Sequence, residues 1–112
     1  MNKERISIDE FAKIEVKVGT ILSAERIPDT DKLLRLMVDL GEEAPRQIVS
    51  GIAAYVSLPE ELVGKQLTFV TNLEPRTIRG YESNGMLFAV GKDDTFAFLT
   101  PDRQIPPGTG AH

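Results

Sequence analysis

The chain has 112 residues, enough for one domain with a single modest core. It has no cysteine, and His112 is its one histidine, so it can assemble no thiolate nucleophile, no thiolate metal site and no histidine-based triad. The formal net charge of −4 lacks the overall basicity of many nucleic-acid binders. No apolar run nears about 18 residues, and the first residues are charged throughout, so the expectation is a cytoplasmic protein without a membrane span or secretory signal.

In chain order, Ser7 followed by Glu10 is a capping-box pattern. It predicts a short N-terminal helix within residues 1–13, with Ile8, Phe11 and Ala12 at helical spacing to plug one end of the domain. From Ile14 the period changes to two: Ile14, Val16 and Val18 alternate with Glu15 and Lys17. Gly19 then marks the place where one long first strand, running on to Ile27, would bend or bulge. Leu34, Leu36, Val38 and Leu40 alternate with polar or less apolar neighbours in a second strand, entered through Pro28-Asp29-Thr30-Asp31 and left through Gly41 to Pro45.

Gln47 to Ile52 reads as a third strand, and Leu58 to Gly64 as a single helical turn opened by proline and closed by glycine. Lys65 to Thr71 is a fourth strand. Thr77–Gly80 and Met86–Val90 read as a fifth strand interrupted by a loop, Phe96–Leu99 as a last short one, and residues 100–112 as a proline-rich C-terminal extension. Short strands, frequent turns and one intervening helical turn describe an all-β fold, and the long kinked first strand favours a five-stranded barrel over a sandwich. No repeat or linker divides residues 1–112, so a single unit is expected.

The chemistry-bearing candidates are few. Asp9/Glu10, Glu42/Glu43, Glu60/Glu61 and Asp93/Asp94 are adjacent carboxylates in loop or helix-start contexts, where solvated charge and helix-dipole complement explain them. Charge is unevenly divided. Residues 65–92 hold four cations (Lys65, Arg76, Arg79, Lys92) against two anions (Glu74, Glu82), while the rest of the chain is acidic. Because screening limits electrostatic reach to about 8 Å at physiological salt, that local excess permits an anion-binding face on an acidic protein.

The segment Asn72-Leu73-Glu74-Pro75-Arg76-Thr77-Ile78-Arg79-Gly80-Tyr81-Glu82-Ser83-Asn84-Gly85-Met86 resembles the signature of the tRNA-binding domain family. The opening around Val16-Lys17-Val18-Gly19, the Asp31-Lys32-Leu33-Leu34 turn, the Arg46–Ile52 strand and Leu99-Thr100-Pro101-Asp102 extend the resemblance over nearly the whole chain. Lys17 stands where the family usually has Arg, and Thr30 where it has Ala. The family includes free-standing structure-specific tRNA-binding proteins, appended domains or separate beta subunits of methionyl-tRNA synthetase, and a related export-chaperone-like branch.

The resemblance implies an OB-fold barrel that grips tRNA by shape and backbone, without catalysis or cofactor. It also implies a homodimer joined through the N-terminal segment and the C-terminal extension, with methionyl-tRNA synthetase as a further partner. The expected tRNA-binding residues are Lys32, Asn72, Arg76, Arg79, Ser83, Asn84 and Met86. The guanidinium forks of Arg76 and Arg79 suit phosphates or stacking on bases; the alternative for each is a surface salt bridge with Glu74 or Glu82. Met86 reads either as core or as a polarizable surface for an unstacked base. Ser83 and Asn84 offer polar groups to bases or 2′-hydroxyls, whereas Asn72 could equally cap a turn. Arg46 and Lys65 read as rim charges. Phe69, Phe88, Phe96 and Phe98 read as core, which leaves Tyr55 and Tyr81 as the exposed aromatic candidates. Because Ser83, Gly85 and Met86 are kept, tRNA binding is favoured over the chaperone-like peptide-binding alternative.

Overall fold

A computed structural model describes residues 3–112. The capping box forms as the sequence predicts: Ser7 Oγ accepts from the Glu10 amide at 3.1 Å, and Glu10 Oε1 accepts from the Ser7 amide at 3.4 Å. The helix it starts, α1 (Ile8–Phe11), is one turn long and buries nothing; Ile8 is 75% exposed and Phe11 52%. It therefore does not plug the barrel. The core is already filled from the strands, and the chain after α1 is fastened to the outer end of the fourth strand, which holds the turn outside.

Strand β1 (Val16–Arg26) organises everything else. Its first half, Val16–Thr20, pairs with β4 (Gln66–Val70), and Thr20–Arg26 pairs with β2 (Leu34–Asp39). One strand thus serves both halves of the barrel. The register irregularity lies at Ile21–Ser23, where Leu22 turns out to solvent, and not at Gly19. Gly19 answers a packing demand: a Cβ there would stand 2.5 Å from Val38 Cγ1 and 2.9 Å from Leu40 Cδ2.

β3 (Arg46–Ser50) pairs with β2, and 3-10 turns at Ala53–Tyr55 and Pro59–Leu62 lead to β4, with Leu62 buried as a lid on the core. Alternation in β2 is strict: Leu34, Leu36 and Val38 are fully buried and Arg35, Met37 and Asp39 are not. Ile21, Ile48, Leu67 and Phe69 complete the centre, a core of branched aliphatics and one phenyl ring.

The expected fifth strand is split. β5 (Arg76–Ile78) and β6 (Tyr81–Ser83) form a separate hairpin, and only β7 (Met86–Leu87) joins β4. The reason is backbone chirality. Arg79 (φ 53°) and Gly80 (φ 83°) are both left-handed, the condition for a two-residue type I′ turn, and Gly85 (φ 142°) redirects the chain before β7. The sheet order is β3-β2-β1-β4-β7. The seam between β3 and the far edge is closed by Asn84 N–H to Gln47 O (2.8 Å), Val49 N–H to Ser83 Oγ (3.0 Å) and Gln47 Nε2 to Glu82 O (2.9 Å). The result is an OB-like five-stranded barrel.

β8 (Ala89–Val90) pairs with β9 (Ala97–Phe98), and the C-terminal extension docks on its own barrel, ending in β10 (Gly110–Ala111) against the start of β1. The Gln66 carboxamide bonds both the amide and the carbonyl of Ile105, at 3.0 and 2.7 Å. Phe69 is core, and Phe96 and Phe98 pack partly buried against it. Phe88, expected in the core, is 43% exposed, because Leu87 takes the core-facing position and side chains alternate along this extended segment. Among the described residues no helix is long and apolar enough to cross a membrane.

Candidate nucleic-acid interface

The β5–β6 hairpin is the element that builds the site. Type I′ geometry sets Arg79 at its apex, and the exposed side chain stands over the turn before β2. There it lines one open cleft with Asp29, Thr30, Asp31, Lys32 and Leu33. Lys32 is held by local bonds: Thr30 Oγ1 accepts from the Lys32 and Leu33 amides at 3.2 and 3.0 Å, and the Lys32 carbonyl accepts from Ala53 N–H at 3.0 Å. Two residues 47 positions apart thus share a cleft.

Arg76, three residues earlier at the start of β5, faces a different hollow. Val49 and Gly85 are beneath it, Leu73, Ile78 and Met86 stand around it, and Ser83, Glu74 and Arg76 complete its lining. Met86 is 46% exposed there, so it is a surface residue and not core. Among the described residues neither arginine, nor Lys32, enters an ion pair; the salt bridges with Glu74 or Glu82 do not form. The hairpin sets the two arginines apart, with Arg76 paired to Ser83 on its strand and Arg79 in the turn.

The remaining expected residues are placed differently. Ser83 is 4% exposed; its hydroxyl accepts from Val49 N–H and donates to Gly85 O at 3.2 Å, so both its capacities are used in the barrel seam. The Asn72 carboxamide is closed on the N-terminal segment, accepting from Glu15 N–H at 2.8 Å and donating to Lys13 O at 2.6 Å. Asn84 opens toward a third cleft, walled by Glu42, Glu43, Glu82 and Arg46.

Arg46, read as a rim charge, forms a two-pronged pair with Glu42 (2.9 and 2.7 Å) and donates to Thr71 O at 2.7 Å. That pairing holds the Glu42 carboxyl below its ordinary value and raises the guanidinium. Glu15 is lowered too, first by the Thr71 hydroxyl that donates to it at 2.5 Å and then by Lys17. Tyr55 is exposed (39%) as expected, with its ring stacked on Phe96 at 4.1 Å between centroids, whereas Tyr81 is half-buried. Sequence reasoning did not single out Leu73, Glu74 and Ile78 as site residues. Three-residue strands are too short to show alternation, and the only signal was an apolar residue (Leu73) beside a proline-containing loop.

The chain is thus a small OB-like barrel with Arg76 and Arg79 exposed and unpaired on one hairpin, an architecture of the kind that binds extended or looped nucleic acid. Residues 16–110 match the family model described as a putative tRNA binding domain, and the chain belongs to that family. A methionine–tRNA ligase of Methanosphaerula palustris is 54% identical over 107 residues, which is 96% of this chain and 16% of the relative. The chain therefore spans about a sixth of the length of the curated relatives it matches. Among solved structures, a MetRS-related protein from Pyrococcus horikoshii is 40% identical and superposes with a TM-score of 0.89 over 98% of this chain and 100% of that one. The chaperone CsaA of Bacillus anthracis, 25% identical, gives 0.84 over 97% and 100%.

Proposed function

We propose that this chain is a non-catalytic, structure-specific tRNA-binding module that engages tRNA through the β5–β6 hairpin and the turn before β2. The observation that carries the reading is the presentation of Arg79 on a left-handed hairpin apex, beside Lys32 and free of any carboxylate partner among the described residues. Arg46 and Arg26, by contrast, are engaged by the fold, Arg46 with Glu42 and Arg26 with the carbonyls of Val56 and Ser57, whereas no hydrogen bond or ion pair holds the Arg79 side chain among the described residues. Arg76 and Met86 extend the contact surface, while Asn72, Ser83 and Asn84 set the frame that positions it. Similarity to a segment of methionine–tRNA ligases supports a role beside methionyl-tRNA synthetase, and similarity to the whole of a MetRS-related chain is compatible with action in trans as its beta subunit or action alone.

The exposed apolar side chains Ile6, Ile8, Phe11 and Ile14 support a homodimer joined at the N-terminal segment, with the docked C-terminal extension beside β1 completing the joint. Residues 1–112 act as one unit, in the cytoplasm and without a cofactor. The test is a titration with unfractionated tRNA at two salt concentrations, with a short RNA duplex as control. Saturable, salt-sensitive binding that prefers tRNA is expected. Equal binding to duplex, or none at low salt, overturns the reading.

A further inference from the structure

We infer that the hollow between β5 and Met86 is a slot for one unpaired nucleobase, and that Glu74 makes guanine the preferred base. This inference rests on the RNA-binding reading above.

The slot is small, about 80 Å³. Leu73, Ile78 and Met86 surround it, and the chain can pass beneath it only as glycine: Gly85 has φ 142°, and a Cβ there would stand 2.9 Å from Ile48 Cδ1. Leu73 and Met86 are each 46% exposed, so two large apolar side chains stand at the surface with nothing upon them. A base can supply what they lack, since every base has a π-face and a thioether is a favourable neighbour for an aromatic ring. The rim adds chemistry that an aliphatic side chain would leave unused. Arg76, unpaired, offers a planar cation to the attached phosphate or to the base face. Glu74, also unpaired, is acceptor-only when ionised and therefore selects a base by its donors. Guanine alone sets two N–H donors side by side, N1–H and an N2 hydrogen, matching the two oxygens of a carboxylate. The slot and the Lys32–Arg79 cleft lie on one hairpin, so a strand whose phosphate enters the cleft reaches the slot with a neighbouring nucleotide.

The experiment is NMR on protein with 13C-labelled methionine methyl groups. Met86 is the reporter and Met37, in β2, the internal control. The probes are the RNA pentamers UUGUU, UUIUU (I, inosine, which lacks the 2-amino group), UUAUU and UUUUU, together with unfractionated tRNA. The expected result is an upfield ring-current shift of the Met86 methyl with UUGUU at the lowest concentration. UUIUU should need roughly threefold more, for one exposed hydrogen bond lost. Glu74→Ala, which removes both acceptor oxygens, should erase the difference between guanine and inosine in the Met86 shift. If tRNA binds and the Met86 methyl does not move, the slot is wrong and the tRNA-binding reading stands. If neither tRNA nor any pentamer binds, both fall together. If apolar peptides move Met86 and RNA does not, the slot takes a side chain and the inference is overturned.

Discussion

The Asn72 carboxamide spans Ile14: its oxygen accepts from Glu15 N–H at 2.8 Å while its nitrogen donates to Lys13 O at 2.6 Å. Thr71, the next residue back, adds a backbone bond to Glu15 O at 2.9 Å and a hydroxyl bond to the Glu15 carboxylate. The end of β4 therefore fastens the segment that carries α1. Asn72→Ala should expose the Glu15 amide to hydrogen exchange and cost about 1–2 kcal/mol, the worth of one or two exposed hydrogen bonds. Exchange followed residue by residue over 3–15 checks this, and unchanged protection would contradict it.

Arg79 calls for a substitution that keeps its backbone. Asn-Gly is the preferred pair for a type I′ turn, so Arg79→Asn should preserve the hairpin and remove only the charge. Affinity for all tRNAs should then fall, and the slope of log affinity against log salt should flatten by about 0.7–0.9. An unchanged slope removes Arg79 from the interface.

For Ser83, stability and binding should separate. Ser83→Ala leaves the Val49 amide, 6% exposed, without its acceptor in the seam, which should destabilise the barrel by about 1–3 kcal/mol in denaturant unfolding. Under conditions where the variant is folded, tRNA affinity should stay near the parent's. Weaker binding with unchanged stability would instead make Ser83 a direct RNA contact.

Gly19→Ala should cost about 1–3 kcal/mol, because the new methyl meets Val38 and Leu40 inside a filled core. Thermal unfolding measures it. Were Gly19 needed only for a bend in β1, alanine would be tolerated there.

Acid should loosen the same region. The folded-state values of Glu15 and Glu42 are depressed, so the stability they contribute is fully present above the ordinary glutamate value of about 4.3 and is lost as pH falls below it. Glu42→Gln should remove the Arg46 pairing at neutral pH and flatten the decline of stability below about pH 4.3. Unfolding curves of parent and variant across that range decide the point, and parallel curves would remove the pair as a cause.

Much of this protein was legible from local pattern. The capping box at Ser7 and Glu10, the strict alternation of β2 and the proline-opened turn before β4 are each written within a few residues, because neighbours along the chain dictate them. The fifth strand was misread because nothing local says that Arg79 will be left-handed; arginine seldom is, and here Gly80 and the pairing of Ile78 with Tyr81 impose it. Gly19 looked like a bend because a strand glycine has two meanings, and only the positions of Val38 and Leu40 choose between them.

The sequence by itself determined the strands, through the period of its apolar residues, and the family with its barrel, through an ordered run of motifs. Only the tertiary structure decided the roles inside those motifs. It brought Lys32 to Arg79 across 47 residues, turned Met86 outward, and spent Ser83 and Asn72 on internal bonds. The physical reason is that a side chain's role depends on whether its hydrogen-bonding capacity or charge is already satisfied. In a barrel, the partners that satisfy it come from strands far apart in the chain.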